Sequence, residues 1–234
     1  LGKDSIAFMA TALALWAVLN LKKNLPLIIF AILVMGLVRP HIAILLLLAQ
    51  VGAFLFDKSI LKKHRVVLFI FSVQFLIAGL ISLFNKFEFA RLRGIIEYIE
   101  KRQTYNQSGG GGIDISTMSF PEQIWTYIFR PLPFEAHNFT SLVVSFDNLF
   151  LLFIFILFIK SFFMKSCYRD KIDFNIIFMI VFSLSALLIL STTTANLGIS
   201  VRQKWMFLPF LIFIAFYYIG GNYKLKKRTS NKAQ

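Results

Sequence analysis

Long apolar runs constrain this chain more than any other feature. Five of them, bounded by charge, Pro, Gly or Asn, come close to or reach the roughly 20 residues that a helix needs to cross a bilayer core of about 30 Å. They cover residues 6–21, 66–84, 141–159, 174–190 and 205–219. Hydrocarbon cannot satisfy exposed backbone polar groups, so such runs cross as helices. The sequence therefore predicts an all-α, polytopic transmembrane helix bundle.

A longer apolar stretch, residues 25–56, is interrupted near its middle by Arg39-Pro40-His41. Each limb would be about 21 to 23 Å long at 1.5 Å per residue, shorter than the hydrocarbon layer. Irregular backbone at such depth is tolerated where it lines a cavity. We predict two short crossings that meet in a turn sunk below the outer surface, which gives about seven crossings. Five crossings and a re-entrant hairpin are the alternative.

The distribution of charge predicts how the chain is oriented. The chain carries 25 Lys and Arg against 11 Asp and Glu, for a net charge of +14. Placing the N-terminus outside and the C-terminus in the cytoplasm puts most basic residues inside and leaves the outside nearly neutral, as short loops prefer. The basic residues alternate with lipid-length apolar runs, which favours membrane lipids as partners and argues against nucleic acid. We expect a multi-pass protein of the plasma (inner) membrane.

Four regions follow from this pattern. Residues 1–84 and 141–223 form the transmembrane helices, and 224–234 form a basic cytoplasmic tail. Residues 85–140 form one long extracytoplasmic loop, with an amphipathic surface helix over 87–103, a flexible glycine hinge over 106–112 and an aromatic lid. A single cysteine, Cys167, excludes an internal disulfide. The chain opens at Leu1 without a basic signal-peptide region, so we expect a fragment that lacks upstream helices.

Basic residues lie at the predicted outer ends of separate segments. Charges at a membrane face are costly and are therefore functional candidates. Arg39, in a break between short helices, needs a buried partner, and phosphate is one that a guanidinium binds bidentately. For Lys3 and Lys204, interfacial anchoring is the alternative to ligand binding. The predicted substrate-binding residues are Lys3, Arg39, Arg130, Arg202 and Lys204.

Three further residues are candidates for acid–base catalysis. They are His41, Glu135 and His137. His41 lies beside Arg39, although a turn cap would explain it as well, and Glu135 and His137 are either an acid–base pair or surface charges of the lid. The sequence contains no paired metal-ligand spacing, phosphate-binding glycine loop or nucleophile elbow. We therefore predict no metal and no cofactor.

Four stretches resemble the C-terminal half of the bacterial polytopic O-antigen and exopolysaccharide polymerase-like membrane proteins. They are GKDSIAF, LVRPHIAILLLL, YIFRPLPFEAHN and NLGISVRQKWMFLPFL. The resemblance implies metal-independent glycosyl transfer at the outer membrane face, from oligosaccharide units carried on a polyprenyl diphosphate. It also implies that Arg39, Arg130 and Arg202 hold the diphosphate, that His41 or His137 is the acid–base group, and that residues 108–138 cover the sugars. Its partners would be the lipid-linked glycan and other proteins of a polysaccharide assembly system.

Other function classes stay open at this point. A transporter or flippase would use the sunken break as a substrate site and do no covalent chemistry. A membrane glycosyltransferase that uses polyprenyl monophosphate donors would carry acidic residues in an early outer loop, and only Asp4 fits that pattern. A membrane scaffold without an active site is the remaining alternative.

Overall fold

The computed structural model describes residues 2–56, 66, 69–70, 72–74, 76–81, 92–107, 111–163 and 174–232. Several predicted features lie outside these residues. They are the cytoplasmic loop 57–65, parts of the crossing 66–84, the start of the outer loop at 85–91, hinge residues 108–110, and Cys167 with its loop.

Most of the described residues are helical, and no strand forms among them. The helices are α1 (Gly2–Leu19), α2 (Leu21–Val38), α3 (Pro40–Phe56), α4 (Leu92–Gln107), α5 (Phe120–Phe129), α6 (Phe139–Phe163), α7 (Phe174–Thr193), α8 (Leu197–Lys204) and α9 (Leu208–Lys232). A short 3-10 turn, Pro133–Glu135, joins α5 to α6. The all-α prediction is confirmed for this part of the chain.

Three helices are long and apolar enough to cross a membrane: α1, α6 and the Asn175–Thr193 part of α7. A fourth crossing results if α8 and the Leu208–Gly220 part of α9, which are bent by 59°, are one broken span. Shorter apolar helices cover Lys23–Val38, Pro40–Ala53 and Ser72–Ile81. Among the described residues, the structure therefore has three or four helices that could span a membrane, consistent with a multi-pass membrane protein.

The last predicted crossing, 205–219, has different bounds in the structure. Residues 205–207 form a turn, and α9 begins at Leu208 and continues to Lys232. Pro209 is tolerated in the first turn because its missing N–H would have no partner within the helix there. Gly220 and Gly221 lower helix propensity by about 1 kcal/mol each but keep their N–H groups, so the helix continues through them.

Small residues let the helices approach closely. Ala7, Ala10, Ala14 and Ala17 form a fully buried stripe along α1, which packs against α2. Such stripes are typical of helix contacts in membranes, where close packing rather than hydrophobicity holds helices together. On other faces large apolar side chains stay exposed, Trp16 at 67% and Phe163 at 78%. These faces are suited to lipid.

The centre of the bundle is aromatic. Helix α3 packs along α7, and α6 and α7 both contact α9. Phe178 and Phe182 of α7 and Phe210 of α9 are completely buried, and the rings of Phe182 and Phe210 meet edge to face with centroids 5.0 Å apart. Edge-to-face pairs add about 0.5–1.5 kcal/mol beyond the area that they bury.

The connection after α4 is docked onto the turn between α7 and α8. The Ile113 N–H donates to the Ala195 carbonyl at 3.0 Å, and the Leu197 N–H donates to the Gly111 carbonyl at 2.8 Å. Gly112 and Asn196 form an antiparallel bridge between the two segments. Two irregular segments thereby satisfy each other's backbone polar groups.

Amide side chains of α4 extend this docking. Gln103 donates to the Thr192 carbonyl at 2.8 Å, and Asn106 donates to the Thr193 carbonyl at 3.0 Å. These are carbonyls of the last turn of α7, which have no partner within the helix. The described residues of the predicted hinge thus contact the end of α7 and the turn after it, and the flexibility of the hinge stays a prediction.

Substitution of Gly112 tests this docking. A Cβ at Gly112 would lie 2.1 Å from the Gln107 carbonyl oxygen, so Gly112→Ala must displace backbone. Such overpacking costs about 1–3 kcal/mol, and we expect a lower apparent Tm in a thermal unfolding assay of the detergent-solubilised protein. Gly220→Ala is the matched control, since no atom lies within 4 Å of its added Cβ. Equal melting of the two variants would contradict this conformation of the docked turn.

Candidate functional site

An open cavity of about 720 Å³ lies among the α5–α6 connection, the first turns of α8 and the glycine turn before α5. Arg130, Glu135, His137 and Arg202 all line it. Its volume falls within the range of small-molecule sites, about 300–1,000 Å³. Four of the predicted site residues, from two separate parts of the chain, therefore share one cavity.

Arg130 and Glu135 form an ion pair within the α5–α6 connection. The Arg130 Nη2 and Glu135 Oε1 atoms are 2.7 Å apart, and the Glu135 Oε2 atom accepts the Leu132 N–H at 2.9 Å. Arg130 is the C-cap of helix α5, and the prolines at 131 and 133 stop the helix from continuing. The Arg130 Nε atom is buried and has no hydrogen-bond partner among the described residues. The Arg130 side chain as a whole is 28% exposed and lines the cavity, so a ligand can reach the exposed part of it.

The charge state of Glu135 follows from these contacts. Burial raises the pKa of Glu135, but hydrogen bonds from Arg130 and the Leu132 N–H, with the charges of Arg130 and His137, lower the pKa more, and the net direction is down. The carboxylate is ionised at neutral pH, and the pair is lost only as the pH falls below the ordinary carboxyl range. These contacts favour a role in orienting Arg130 over the predicted role in acid–base catalysis.

His137 is the predicted acid–base group that this cavity keeps accessible. Its ring is exposed where it lines the cavity. It interacts electrostatically with Glu135, and the next residue, Asn138, accepts the Ser141 N–H at 2.7 Å and so caps the start of α6. The turn and the cap together fix the backbone on both sides of His137.

Arg202 and Arg39 share one carboxylate, that of Asp4. The Arg202 Nη1 and Asp4 Oδ2 atoms are 3.8 Å apart, and Arg39 Nη2 pairs with the other oxygen, Oδ1. Arg39 occupies the break between α2 and α3, at the predicted position. It is not among the residues that line the cavity, but Asp4 links it to Arg202, which is. The partner of Arg39, predicted to be phosphate, is a carboxylate in this structure.

Lys3 and His41 lie away from the cavity lining. Lys3 is exposed in the first turn of α1, as expected for the alternative of interfacial anchoring. His41 is half-buried in the first turn of α3, where the charges of Arg39 and Arg102 act on it. The structure therefore brings neither of these two predicted site residues to the cavity.

Lys204 is buried instead of facing a ligand. Its Nζ atom donates to the Ile128 carbonyl at 3.1 Å and to the Asn148 side-chain oxygen. Asn148 in turn donates to the Pro131 carbonyl at 2.9 Å, so the cluster ties α8 to α5 and α6. Residues two apart on a helix point about 200° apart, so Lys204 faces the core when Arg202 faces the cavity. These contacts favour a structural role for Lys204 over the predicted role in substrate binding.

A second, apolar groove of about 390 Å³ runs among α5, α6, α7 and α9. Almost all of its lining side chains are apolar, among them Phe129, Phe155, Leu184 and Leu211. Phe129 lines the groove, and the next residue, Arg130, lines the polar cavity. The two concave sites are therefore neighbours at the end of α5, one suited to hydrocarbon and the other to anions.

No family model, no curated protein and no solved structure matches this chain. Within the described ranges, no group of three or more His, Cys, Asp or Glu side chains is placed to hold a metal ion. The function is therefore argued from the geometry of the cavity and groove themselves.

Sequence reasoning missed two polar residues of this region. Asp4 was weighed only for a different enzyme class, and Asn148 was not considered. Both could have been recognised in the sequence, because a polar side chain inside or beside a lipid-length apolar run faces the protein interior and has a partner there. For Asp4 the obvious partners were the arginines at the same level of the membrane.

The role of Lys204 can be tested by stability. Lys204→Met leaves the Ile128 carbonyl and the Asn148 amide without their charged donor, and bonds to charged groups contribute about 1.5–3 kcal/mol each. We expect a marked loss of thermal stability in detergent. Arg202→Ala is the control, because the Arg202 side chain is 53% exposed and its loss opens no buried polar group. Equal stability of Lys204→Met and Arg202→Ala would contradict the structural role.

Proposed function

We propose that this chain transfers glycosyl units from a polyprenyl-diphosphate-linked oligosaccharide at the outer face of the plasma membrane, as a polymerase-like enzyme of surface-polysaccharide assembly. The observation that carries the proposal is the cavity shared by Arg130, His137 and Arg202, with an apolar groove beside it. A lipid-linked sugar diphosphate needs both features, one for the charged head and one for the hydrocarbon chain.

The two arginines supply the electrostatic part of the reaction. A diphosphate is a good leaving group once its charge is neutralised, and guanidinium groups bind its oxygens bidentately. Arg130 is held in position by Glu135, so its donors are oriented before a ligand binds. A preoriented donor stabilises developing charge without reorganisation at the moment of reaction.

His137 supplies the proton transfer. In the proposed step the His137 ring accepts the proton of an acceptor-sugar hydroxyl, and the hydroxyl oxygen forms a bond to the anomeric carbon of the donor. The bond from that carbon to the phosphate oxygen breaks, and its electron pair leaves with the diphosphate. General bases of this kind contribute about 10²–10⁴-fold in rate.

The lipid chain would lie in the apolar groove. The groove is formed largely by α6, α7 and α9, which carry the apolar runs of membrane length. Its lining on α6 extends from Leu151 to Phe162, which is about 16 Å at 1.5 Å per residue. A chain in this groove would present its phosphate end toward Arg130.

The topology belongs to the same proposal. Seven crossings, with α2 and α3 as the two short ones and 66–84 as another, put the N-terminus outside and the basic end of α9 in the cytoplasm. Residues 85–140 then form the extracytoplasmic region, which includes α4 and α5. In this arrangement the cavity opens on the side where polysaccharide is assembled.

A flippase is the second candidate, and the break at Arg39 between two short helices favours it. The two functions differ in what accumulates when the protein fails. Loss of a flippase leaves lipid-linked repeat units on the cytoplasmic face, whereas loss of a polymerase leaves them on the outer face as single units.

Substitution of the cavity arginines tests the transferase. We expect Arg130→Ala and Arg202→Ala to insert normally and to shorten surface polysaccharide from long chains to single repeat units. Losing one charge-stabilising donor costs about 10²–10³-fold in rate. Lys101→Ala is the control, because Lys101 is an exposed cation of α4 that does not line the cavity. Unchanged chain-length ladders on gels from both arginine variants would refute the transferase.

Filling the groove tests the lipid site. Leu184 of α7 is 49% exposed and lines the groove, whereas Leu188, one turn further along, is 44% exposed and does not. We expect Leu184→Trp to reduce activity on a long-chain polyprenyl diphosphate donor more than on a short-chain analogue, because the indole occupies the space of the chain. Leu188→Trp should leave the ratio of the two activities unchanged. A ratio unaffected by Leu184→Trp would exclude this groove as the lipid site.

A further inference from the structure

Asp4 is the anion around which two of the predicted phosphate-binding arginines are arranged. Each of its two oxygens pairs with one guanidinium, Oδ1 with Arg39 and Oδ2 with Arg202. The three groups come from α1, from the break between α2 and α3, and from α8. Asp4 itself does not line the described part of the cavity, although Arg202 does.

The two pairs differ in strength. The Asp4–Arg202 atoms are 3.8 Å apart, and the Arg202 side chain is 53% exposed, so this pair is loose and reachable from the cavity. The Arg39 side chain is only 16% exposed and is in direct contact with Asp4. An anion that enters the cavity therefore meets Arg202 first, and the carboxylate is the group with which it competes.

Glu135, a carboxylate of the same region, differs from Asp4 in how it is held. It pairs with Arg130 and also accepts the Leu132 backbone N–H, so the 3-10 turn holds it independently of the arginine. For Asp4, the pairs seen among the described residues are those with the two guanidinium groups. We infer that Asp4 is a resident counter-anion, which offsets one of the two positive charges of Arg39 and Arg202 while the site is empty and is displaced from Arg202 by a phosphate group of the ligand.

This inference rests on the proposed function for the identity of the ligand, a lipid diphosphate. A phosphate offers more negative charge and more acceptor oxygens than a carboxylate, so it wins the competition for an exposed guanidinium. The displaced carboxylate remains nearby and repels the bound phosphate. Asp4 thereby limits the affinity for the diphosphate product, whose charge increases on transfer, and favours its release.

The test is binding of inorganic diphosphate to the full chain in detergent, measured by titration calorimetry. We expect Asp4→Asn to bind it about ten-fold more tightly than the parent, within the range of coupling between two competing ligands. Asp4→Glu, which keeps the charge, should bind like the parent. Asp147→Asn, which makes the same chemical change at an exposed carboxylate of α6 outside the cavity lining, should do so as well.

Unchanged or weaker binding by Asp4→Asn would overturn the inference, and so would a failure of both it and the parent to bind. Should Asp4→Asn not fold, Asp4→Ser is measured by the same criterion. Misfolding of both also overturns the inference, since a displaceable anion cannot be required for the fold. Tighter binding by Asp4→Asn beside unchanged polysaccharide chains in Arg130→Ala and Arg202→Ala would support the counter-anion and refute only the transferase.

Discussion

Each interruption of a membrane helix frees backbone polar groups that hydrocarbon cannot satisfy, and this constraint decides where the chain can bend. Two of the described turns satisfy such groups by bonding to each other. The turn after α4 bonds to the turn after α7 through Ile113 and Leu197, and side-chain amides of α4 donate to free carbonyls at the end of α7. The α5–α6 connection lines the same cavity as these turns. The charged residues of the α5–α6 connection and of α8 meet at the cavity beside these docked turns.

Lys204 marks the boundary between the polar and apolar halves of this arrangement. A buried ammonium is costly unless it is hydrogen-bonded, and here it has a backbone carbonyl and the Asn148 amide as acceptors. Arg130 and Arg202 lie on one side of this cluster, in the cavity, and Ile128 and Phe129 line the groove on the other. One lysine thus fixes the relative positions of α5, α6 and α8, and with them the distance between the two sites.

The sequence predicted the helices well, because a lipid-length apolar run has few alternative structures. It also located the break at Arg39, where a charged residue precedes a proline. The partners of the charges were harder to predict. Asp4 and Arg39 are 35 residues apart, and no local pattern joins them. The sequence could have predicted that Arg202 and Lys204 face opposite sides of α8, since residues two apart on a helix point to nearly opposite faces. The docking of the glycine turn could not be predicted in this way, because it depends on hydrogen bonds to a turn more than 80 residues later in the chain.

The apolar groove and the charged cavity contribute differently to binding of a lipid-linked ligand, because the groove competes with the surrounding bilayer for the lipid chain. A lipid chain that moves from the bilayer into an apolar groove gains little free energy, because lipid is as apolar as the groove. The groove can orient such a ligand, but discrimination has to come from the charged head. There Glu135 pairs with Arg130, whereas Arg39 and Arg202 share the single carboxylate of Asp4. Three guanidinium groups thus share two carboxylates, and the site favours a ligand whose phosphate groups reach Arg130 and Arg202 together.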